Sequence, residues 1–206
     1  SEHAQLAVDA LLIASGRQPA TASLHPENAG IAVNERGAIV VDKRLHTTAD
    51  NIWAMGDVTG GLQFTYISLD DYRIVRDELL GEGKRSTDDR KNVPYSVFMT
   101  PPLSRVGMTE EQARESGADI QVVTLPVAAI PRARVMNDTR GVLKAIVDNK
   151  TQRMLGASLL CVDSHEMINI VKMVMDAGLP YSILRDQIFT HPSMSESLND
   201  LFSLVK

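Results

Sequence analysis

The chain has 206 residues, of which 44% are hydrophobic and 23% charged, an ordinary composition for one large globular domain or two small ones. The net charge of -5 argues against nucleic acid as the main partner, because binding to phosphates requires a basic face. The longest apolar runs, such as residues 10–14 and 155–162, are too short to cross a bilayer, and residues 1–5 (SEHAQ) do not resemble a signal peptide. We therefore expect neither a nucleic-acid partner nor a membrane partner.

The first part of the chain predicts the strands and helix of an α/β arrangement. Residues 9–14 (DALLIA) form an apolar strand that runs into a turn at residues 15–19, and residues 38–41 and 52–55 are predicted as further strands. Residues 66–80 predict a helix with one broad apolar face. A fully buried strand rarely opens a domain without a partner before it, so we expect that a segment upstream of this sequence is missing.

A charged linker at residues 81–92 (GEGKRSTDDRKN) marks a domain boundary, and mixed strands and helices follow it. This pattern predicts an α+β domain with a mostly antiparallel sheet. Thr109 and Gln112 form a predicted capping box, and Ser164 is a predicted N-cap of a helix that ends before Gly178. The predicted strands are residues 95–99, 120–125, 141–147 and 154–162, and the predicted helices are residues 109–116, 164–177 and 193–204.

The single cysteine, Cys161, lies in an apolar run at residues 154–162, so no internal disulfide can form. It is either a reactive thiol or a small apolar residue of a strand. We favour the second interpretation, because buried structural cysteines are inert. A chain without disulfides is typical of the cytoplasm, which is the location we expect.

Gly56 and Asp57 follow the predicted strand at residues 52–55. A carboxylate at the tip of a parallel strand can accept hydrogen bonds from the hydroxyl groups of a ligand, while a glycine lets the backbone approach closely. The helix behind this loop offers N–H groups and the positive end of its dipole. Taken alone, the same pair is also typical of a plain turn.

Residues 47–58 (TTADNIWAMGDV) resemble the second FAD-binding motif of the class I pyridine nucleotide-disulfide oxidoreductases. The resemblance implies that Gly56 and Asp57 bind FAD and that the carboxylate of Asp57 holds the ribityl chain. It also implies that the flavin pyrimidine edge faces a helix N-terminus. The residues at that N-terminus are Gln63, Phe64, Thr65 and Tyr66, of which Tyr66 departs from the commonest pattern of the family.

Residues 14–19 (ASGRQP) resemble the Gly-Arg-x-Pro signature of the same family, which implies that Gly16 lies beside the dinucleotide. A plain turn at the end of a strand is compatible with the same residues. Residues 97–110 and 141–157 resemble the opening and the central hairpin of the family's dimerisation domain.

His191 and Glu196 lie in residues 189–196 (FTHPSMSE), which resemble the family's C-terminal His-Pro-Thr-x-x-Glu motif, with Ser193 in place of Thr. An imidazole paired with a carboxylate can take a proton from a thiol and return it near neutral pH. Alternatively, Ser193 and Glu196 are a capping box that opens a helix, and His191 is a surface residue. The other family motifs upstream favour the catalytic interpretation.

No Gly-x-Gly-x-x-Gly phosphate loop and no cysteine pair occur in the sequence. We therefore expect a fragment that is inactive alone, with residues 1–14 ending a nicotinamide-binding domain, residues 15–92 completing an FAD-binding domain, and residues 93–206 forming a dimerisation domain. Within the family, the sequence resembles mercuric-reductase-like proteins and reactive-chlorine-resistance flavoproteins.

The resemblance implies an enzyme that passes electrons from NAD(P)H through FAD and a cysteine pair of the N-terminal half to a disulfide or metal-ion acceptor. Its partners would be a second copy of the chain, its own N-terminal half and that acceptor. The alternative is a non-catalytic dimerisation or binding module of the same fold. His165 and Glu166 have no third ligand at useful spacing, and Met167, Met173 and Met175 on the same predicted helix are expected to fill the core, so we predict no metal ligands.

Overall fold

The computed structural model of the protein describes residues 5–206. The chain divides into two compact units, the first ending at Arg90 and the second comprising Lys91–Lys206, and each is described by itself. Among the helices of the described residues, none is both long enough and apolar enough to span a membrane.

The first unit contains one long helix, α1 (Thr65–Leu80), which confirms the helix predicted at residues 66–80. Helix α1 buries Ile67 and Ile74, which lie on one face two turns apart. It ends at Gly81, where the backbone leaves helical geometry. Four short 3₁₀ turns accompany it, at Ala22–Leu24, Pro26–Ala29, Gly56–Thr59 and Thr87–Asp89.

The three strands predicted in the first unit are wrong as regular strands. Residues 9–14 have no strand geometry and lie in solvent, with Leu12 88% exposed. The other two predicted strands contribute only isolated antiparallel bridges, between Val33 and Ile39 and between His46 and Trp53. A strand requires a neighbour that pairs with its N–H and C=O groups, and the described residues of this unit provide no continuous neighbour.

The second unit is built on a five-stranded, fully antiparallel sheet in the order β1-β2-β5-β4-β3, which confirms the predicted α+β domain. Strands β4 and β5 form the central hairpin, in which Ala145 lies opposite Ala157. The strands are β1 (Tyr95–Val97), β2 (Leu103–Gly107), β3 (Ile120–Pro126), β4 (Val142–Asp148) and β5 (Met154–Leu160).

Five helices of the second unit complete its fold: α2 (Glu110–Glu115), α3 (Pro131–Val135), α4 (Ser164–Asp176), α5 (Ser182–Asp186) and α6 (Ser197–Ser203). Helix α4 packs on β2 and β5, and α6 packs on β3 and β4. The core between sheet and helices includes Leu143, Leu159, Met167, Leu198, Leu201 and Phe202, all fully buried.

Two helix starts differ from their predictions. The capping box of α2, formed by Thr109 and Gln112, is confirmed. The N-cap of α4, however, is Asp163, and the hydroxyl of Ser164 donates instead to the carbonyl of Pro102 at 2.8 Å. Helix α6 begins at Ser197 rather than at residue 193, because residues 194–196 form a turn.

Candidate functional site

The turn at Gly56 and Asp57 is fixed from several sides. The N–H of Gly56 donates to Oδ2 of Asp71 at 2.7 Å, and its carbonyl accepts from the hydroxyl of Thr59 at 2.9 Å. Gly56 has a φ of 79°, and a Cβ at this position would lie 3.0 Å from Oγ of Ser68. Glycine is therefore required here both by the backbone conformation and by the close approach of helix α1.

The carboxylate of Asp57 is half exposed and lies 3.4 Å from a guanidinium nitrogen of Arg17. Arg17 directly follows Gly16, whose φ is 99°. The structure thus brings the Gly-Arg and the Gly-Asp motifs together within the first unit. An exposed ion pair contributes about 0–1 kcal/mol, so the oxygens of Asp57 remain able to accept hydrogen bonds from a ligand.

The four residues predicted at a helix N-terminus lie at the start of α1. Thr65 is the first helical residue, and Phe64 before it has extended backbone. The rings of Phe64 and Tyr66 stack at 5.1 Å, and partial burial raises the pKa of the Tyr66 phenol. Gln63 lies partly buried in the loop before the helix.

This arrangement fits an FAD molecule by its chemistry. The carboxylate of Asp57 can accept from the ribityl hydroxyls, and the first turn of a 16-residue helix presents backbone N–H groups and a positive dipole end.

The second cluster pairs His191 with Glu196, in the second unit. Nδ1 of His191 lies 2.8 Å from Oε2 and 3.0 Å from Oε1 of Glu196. The imidazole is 66% exposed, while the carboxylate is largely covered. A carboxylate on Nδ1 favours a proton on that nitrogen, which leaves Nε2 as the basic atom.

Ser193 caps the backbone next to this pair, while the side chain of Glu196 takes no part in capping. Its hydroxyl accepts from the N–H of Glu196 at 3.2 Å, which is one half of a capping box. The reciprocal half is not formed, because the side chain of Glu196 contacts His191 instead.

The sequence did not point to Asp71 or Arg90. Asp71 accepts a hydrogen bond from the N–H of Gly56, and Arg90 in turn contacts the carboxylate of Asp71. One signal was available for Asp71. It lies four residues after Ile67 and three before Ile74, which places a carboxylate on the buried face of α1.

Cys161 is fully buried, and that burial, together with the charges of Asp163 and Asp138, raises the pKa of its thiol to about 12. The predicted burial of Cys161 is confirmed, although the residue lies directly after β5 rather than within it. Met167, on the neighbouring helix, is buried in the core, whereas Met173 on the same helix is exposed. Within residues 5–206, no group of three His, Cys, Asp or Glu side chains is placed to hold a metal ion.

Residues 93–202 match the family described as the pyridine nucleotide-disulphide oxidoreductase dimerisation domain, and residues 1–71 match the pyridine nucleotide-disulphide oxidoreductases. The chain therefore belongs to the pyridine nucleotide-disulphide oxidoreductases, a family of flavoprotein oxidoreductases that generally depend on FAD and NAD(P)H. The resemblance inferred from the sequence motifs is confirmed.

Among its relatives are mercuric reductases. That of Staphylococcus aureus is 36% identical over 92% of this chain, and that of Streptomyces lividans is 36% identical over 94% of it. The chain spans only 35% and 41% of the lengths of these two relatives. The crystal structure of LpdA from Mycobacterium tuberculosis shares the fold, with a TM-score of 0.82 and 24% identity over 92% of this chain and 41% of that one.

Proposed function

We propose that this chain is the C-terminal part of an FAD-dependent NAD(P)H oxidoreductase that passes electrons through a cysteine pair of its N-terminal half to a disulfide or metal-ion acceptor. The observation that carries the proposal is the 2.8 Å contact between Nδ1 of His191 and Glu196. It leaves an exposed imidazole held by a carboxylate, which is the arrangement of a general acid–base.

In this proposal the enzyme is a homodimer, and each His191 serves the thiols of the other subunit. The match of residues 93–202 to a dimerisation domain supports this assembly. His191 would take the proton of a thiol at Nε2 and return it, while Glu196 fixes the tautomer and stabilises the imidazolium. Bound FAD would supply two-electron transfer between NAD(P)H and the thiols.

The mercuric reductases among the relatives support a metal ion as one candidate acceptor. A disulfide is the other candidate, since the proposed acid–base pair suits thiol chemistry. Steady-state assays of the complete flavoprotein with mercuric ion and with small disulfides distinguish the two.

Substitution of His191 by Gln in the complete flavoprotein tests the acid–base assignment. We expect reduction of the flavin by NAD(P)H to survive, because that half-reaction needs no proton from this imidazole. The thiol-dependent half-reaction should slow by roughly 10²–10⁴-fold, the usual contribution of a positioned general acid–base. Stopped-flow measurement of the two half-reactions separates these effects.

Two further variants serve as matched controls for His191→Gln. Glu196→Gln removes orientation and charge support but not the proton carrier, so a smaller loss in the same half-reaction is expected. Ser193→Ala removes only the hydrogen bond to the N–H of Glu196, so it should lower stability by about 0.5–2 kcal/mol and leave turnover unchanged. Equal slowing of both half-reactions in His191→Gln, or of neither, would contradict the assignment.

Substitution of Asp57 by Ala tests the cofactor assignment. Removing a carboxylate that accepts bonds from ribityl hydroxyls should weaken FAD binding by about 1.5–3 kcal/mol. Arg17→Ala is the control, because it removes the neighbour of Asp57 at 3.4 Å but no acceptor. If Asp57→Ala purifies with full flavin content and unchanged affinity, Asp57 does not hold the cofactor.

A further inference from the structure

Asp71 is a buried carboxylate in the middle of helix α1, with only 2% of its side chain exposed. Buried carboxylates are costly unless their oxygens are paired. Both oxygens of Asp71 have partners: Oδ2 accepts from the N–H of Gly56 at 2.7 Å, and Oδ1 contacts the guanidinium of Arg90. The carboxylate therefore joins the Gly-Asp turn to the end of the linker.

Arg90 holds two neighbouring carboxylates at once. Its Nε donates to Oδ2 of Asp70 at 2.8 Å, while its terminal nitrogen contacts Asp71. Burial lowers the pKa of Arg90, but the hydrogen bonds with Asp70 and Asp71 outweigh this and raise it, so the guanidinium stays charged. Asp70 is held in addition by Arg85 at 2.9 Å, and Arg85 does not contact Asp71.

The turn that Asp71 contacts is intrinsically permissive. Gly56 has a φ of 79°, a conformation that glycine adopts at little cost. Glycine adopts other conformations just as readily, so Gly56 alone does not fix the turn. Donation of its N–H to the charged carboxylate of Asp71 fixes the orientation of the peptide plane between Met55 and Gly56, one residue before Asp57. The direction of the Asp57 carboxylate depends on that orientation.

We propose that Asp71, held by Arg90, is a positioning residue for the cofactor site, which fixes the Gly56–Asp57 turn in the conformation that binds FAD. This inference rests on the proposed function, since it requires that Asp57 holds the flavin. Asp71 acts through Gly56 and does not itself contact the cofactor. The linker that follows α1 thereby takes part in cofactor affinity.

The test compares Asp71→Ala, Asp71→Asn and Asp70→Asn in the complete flavoprotein stripped of FAD. The dissociation constant for FAD is measured by quenching of flavin fluorescence, well below the unfolding temperature of each variant. Asp71→Ala should raise it by about 10- to 100-fold, the range found when residues that orient metal ligands are removed. Asp71→Asn should give a smaller rise, because its amide oxygen can still accept from Gly56.

Asp70→Asn is the matched control, since Asp70 contacts Arg90 but not Gly56. It should lower the unfolding temperature of the apoprotein and leave the dissociation constant for FAD unchanged. If Asp71→Ala likewise lowers stability but binds FAD as the unmodified protein does, Asp71 is merely structural and the proposal is overturned.

Failure to fold of Asp71→Ala does not end the test. Asp71→Asn and Arg90→Lys, which keeps the charge but cannot span both carboxylates, must then weaken FAD binding in folded protein. Asp57→Ala distinguishes the positioning role of Asp71 from the proposed binding of FAD by Asp57. If it weakens FAD binding and the Asp71 variants do not, only the positioning role fails; if it has no effect, the proposed function fails.

Discussion

Glu196 lies three residues after Ser193, the spacing of a capping box, and five after His191. The spacing alone fits both roles, because a capping carboxylate and an imidazole partner require the same residue type, and only the other family motifs favoured the imidazole partner. In the structure the carboxylate is bonded to Nδ1 of His191, and only the hydroxyl of Ser193 caps the backbone. The motif could be predicted from the sequence. Whether the carboxylate of Glu196 binds His191 or caps the backbone depends on side-chain geometry, which the spacing of residues does not determine.

Cys161 should be unreactive in the native protein. Its thiol is fully buried and has a pKa of about 12, so at pH 8 only about one part in ten thousand is thiolate. We expect no alkylation of Cys161 in the native protein and complete alkylation after unfolding, followed by mass spectrometry of the Cys161 peptide. Native labelling at the rate of a free thiol would show that the strand end opens readily.

The elements of the second unit and helix α1 of the first could largely be predicted, whereas the strands predicted in the first unit were wrong, for a physical reason. The backbone hydrogen bonds of helix α1 are formed within its own segment, so its 3.6-residue apolar pattern suffices to predict it. A strand is stable only beside a neighbour, so the apolar residues 9–14 and 52–55 do not determine their own structure. Strand β2 was missed because Ser104, a polar residue, occupies a core position, where its hydroxyl bonds to that of Ser164 at 2.9 Å.

The turn between β4 and β5 contains a carboxylate, Asp148, that makes the stability of the hairpin depend on pH. Oδ1 of Asp148 accepts from the N–H groups of Lys150 and Thr151, each at 2.8 Å. The backbone hydrogen bond from Thr151, together with that from Lys150, outweighs burial and lowers the pKa of Asp148 below its usual 3.8. A carboxyl group whose pKa is lower in the folded than in the unfolded state stabilises the fold when the pH is above its unfolded-state pKa. This stabilisation is lost as the pH falls through the folded-state pKa.

Asp148→Asn should therefore be less stable than the unmodified protein at pH 7, with a difference that shrinks below about pH 3.8. Urea unfolding between pH 2.5 and pH 7 measures this difference. A difference that stays constant across this range would mean that the charge of Asp148 does not stabilise the hairpin.

The two units also differ at the scale of the whole molecule. The second unit encloses its own core between a five-stranded sheet and helices, whereas the buried apolar residues of the first are few and flank α1 and isolated bridges. The stability of a domain derives mainly from such a core. The chain covers 35% of the length of the mercuric reductase of Staphylococcus aureus.

The second unit should therefore be stable without the first. Residues 91–206 produced alone should fold, unfold in one cooperative transition and sediment as a dimer, because their core is self-contained and their sequence matches a dimerisation domain. Residues 5–90 alone should show no cooperative transition.

Leu159→Ala in the excised second unit tests whether its core is tightly packed. Because Leu159 is fully buried, this substitution should lower the free energy of unfolding by about 2–5 kcal/mol. Circular dichroism during urea unfolding and sedimentation equilibrium measure both properties. A cooperative transition in residues 5–90 would mean that isolated bridges and one helix suffice for a stable fold, and a monomeric second unit would mean that dimerisation requires contacts from elsewhere in the protein.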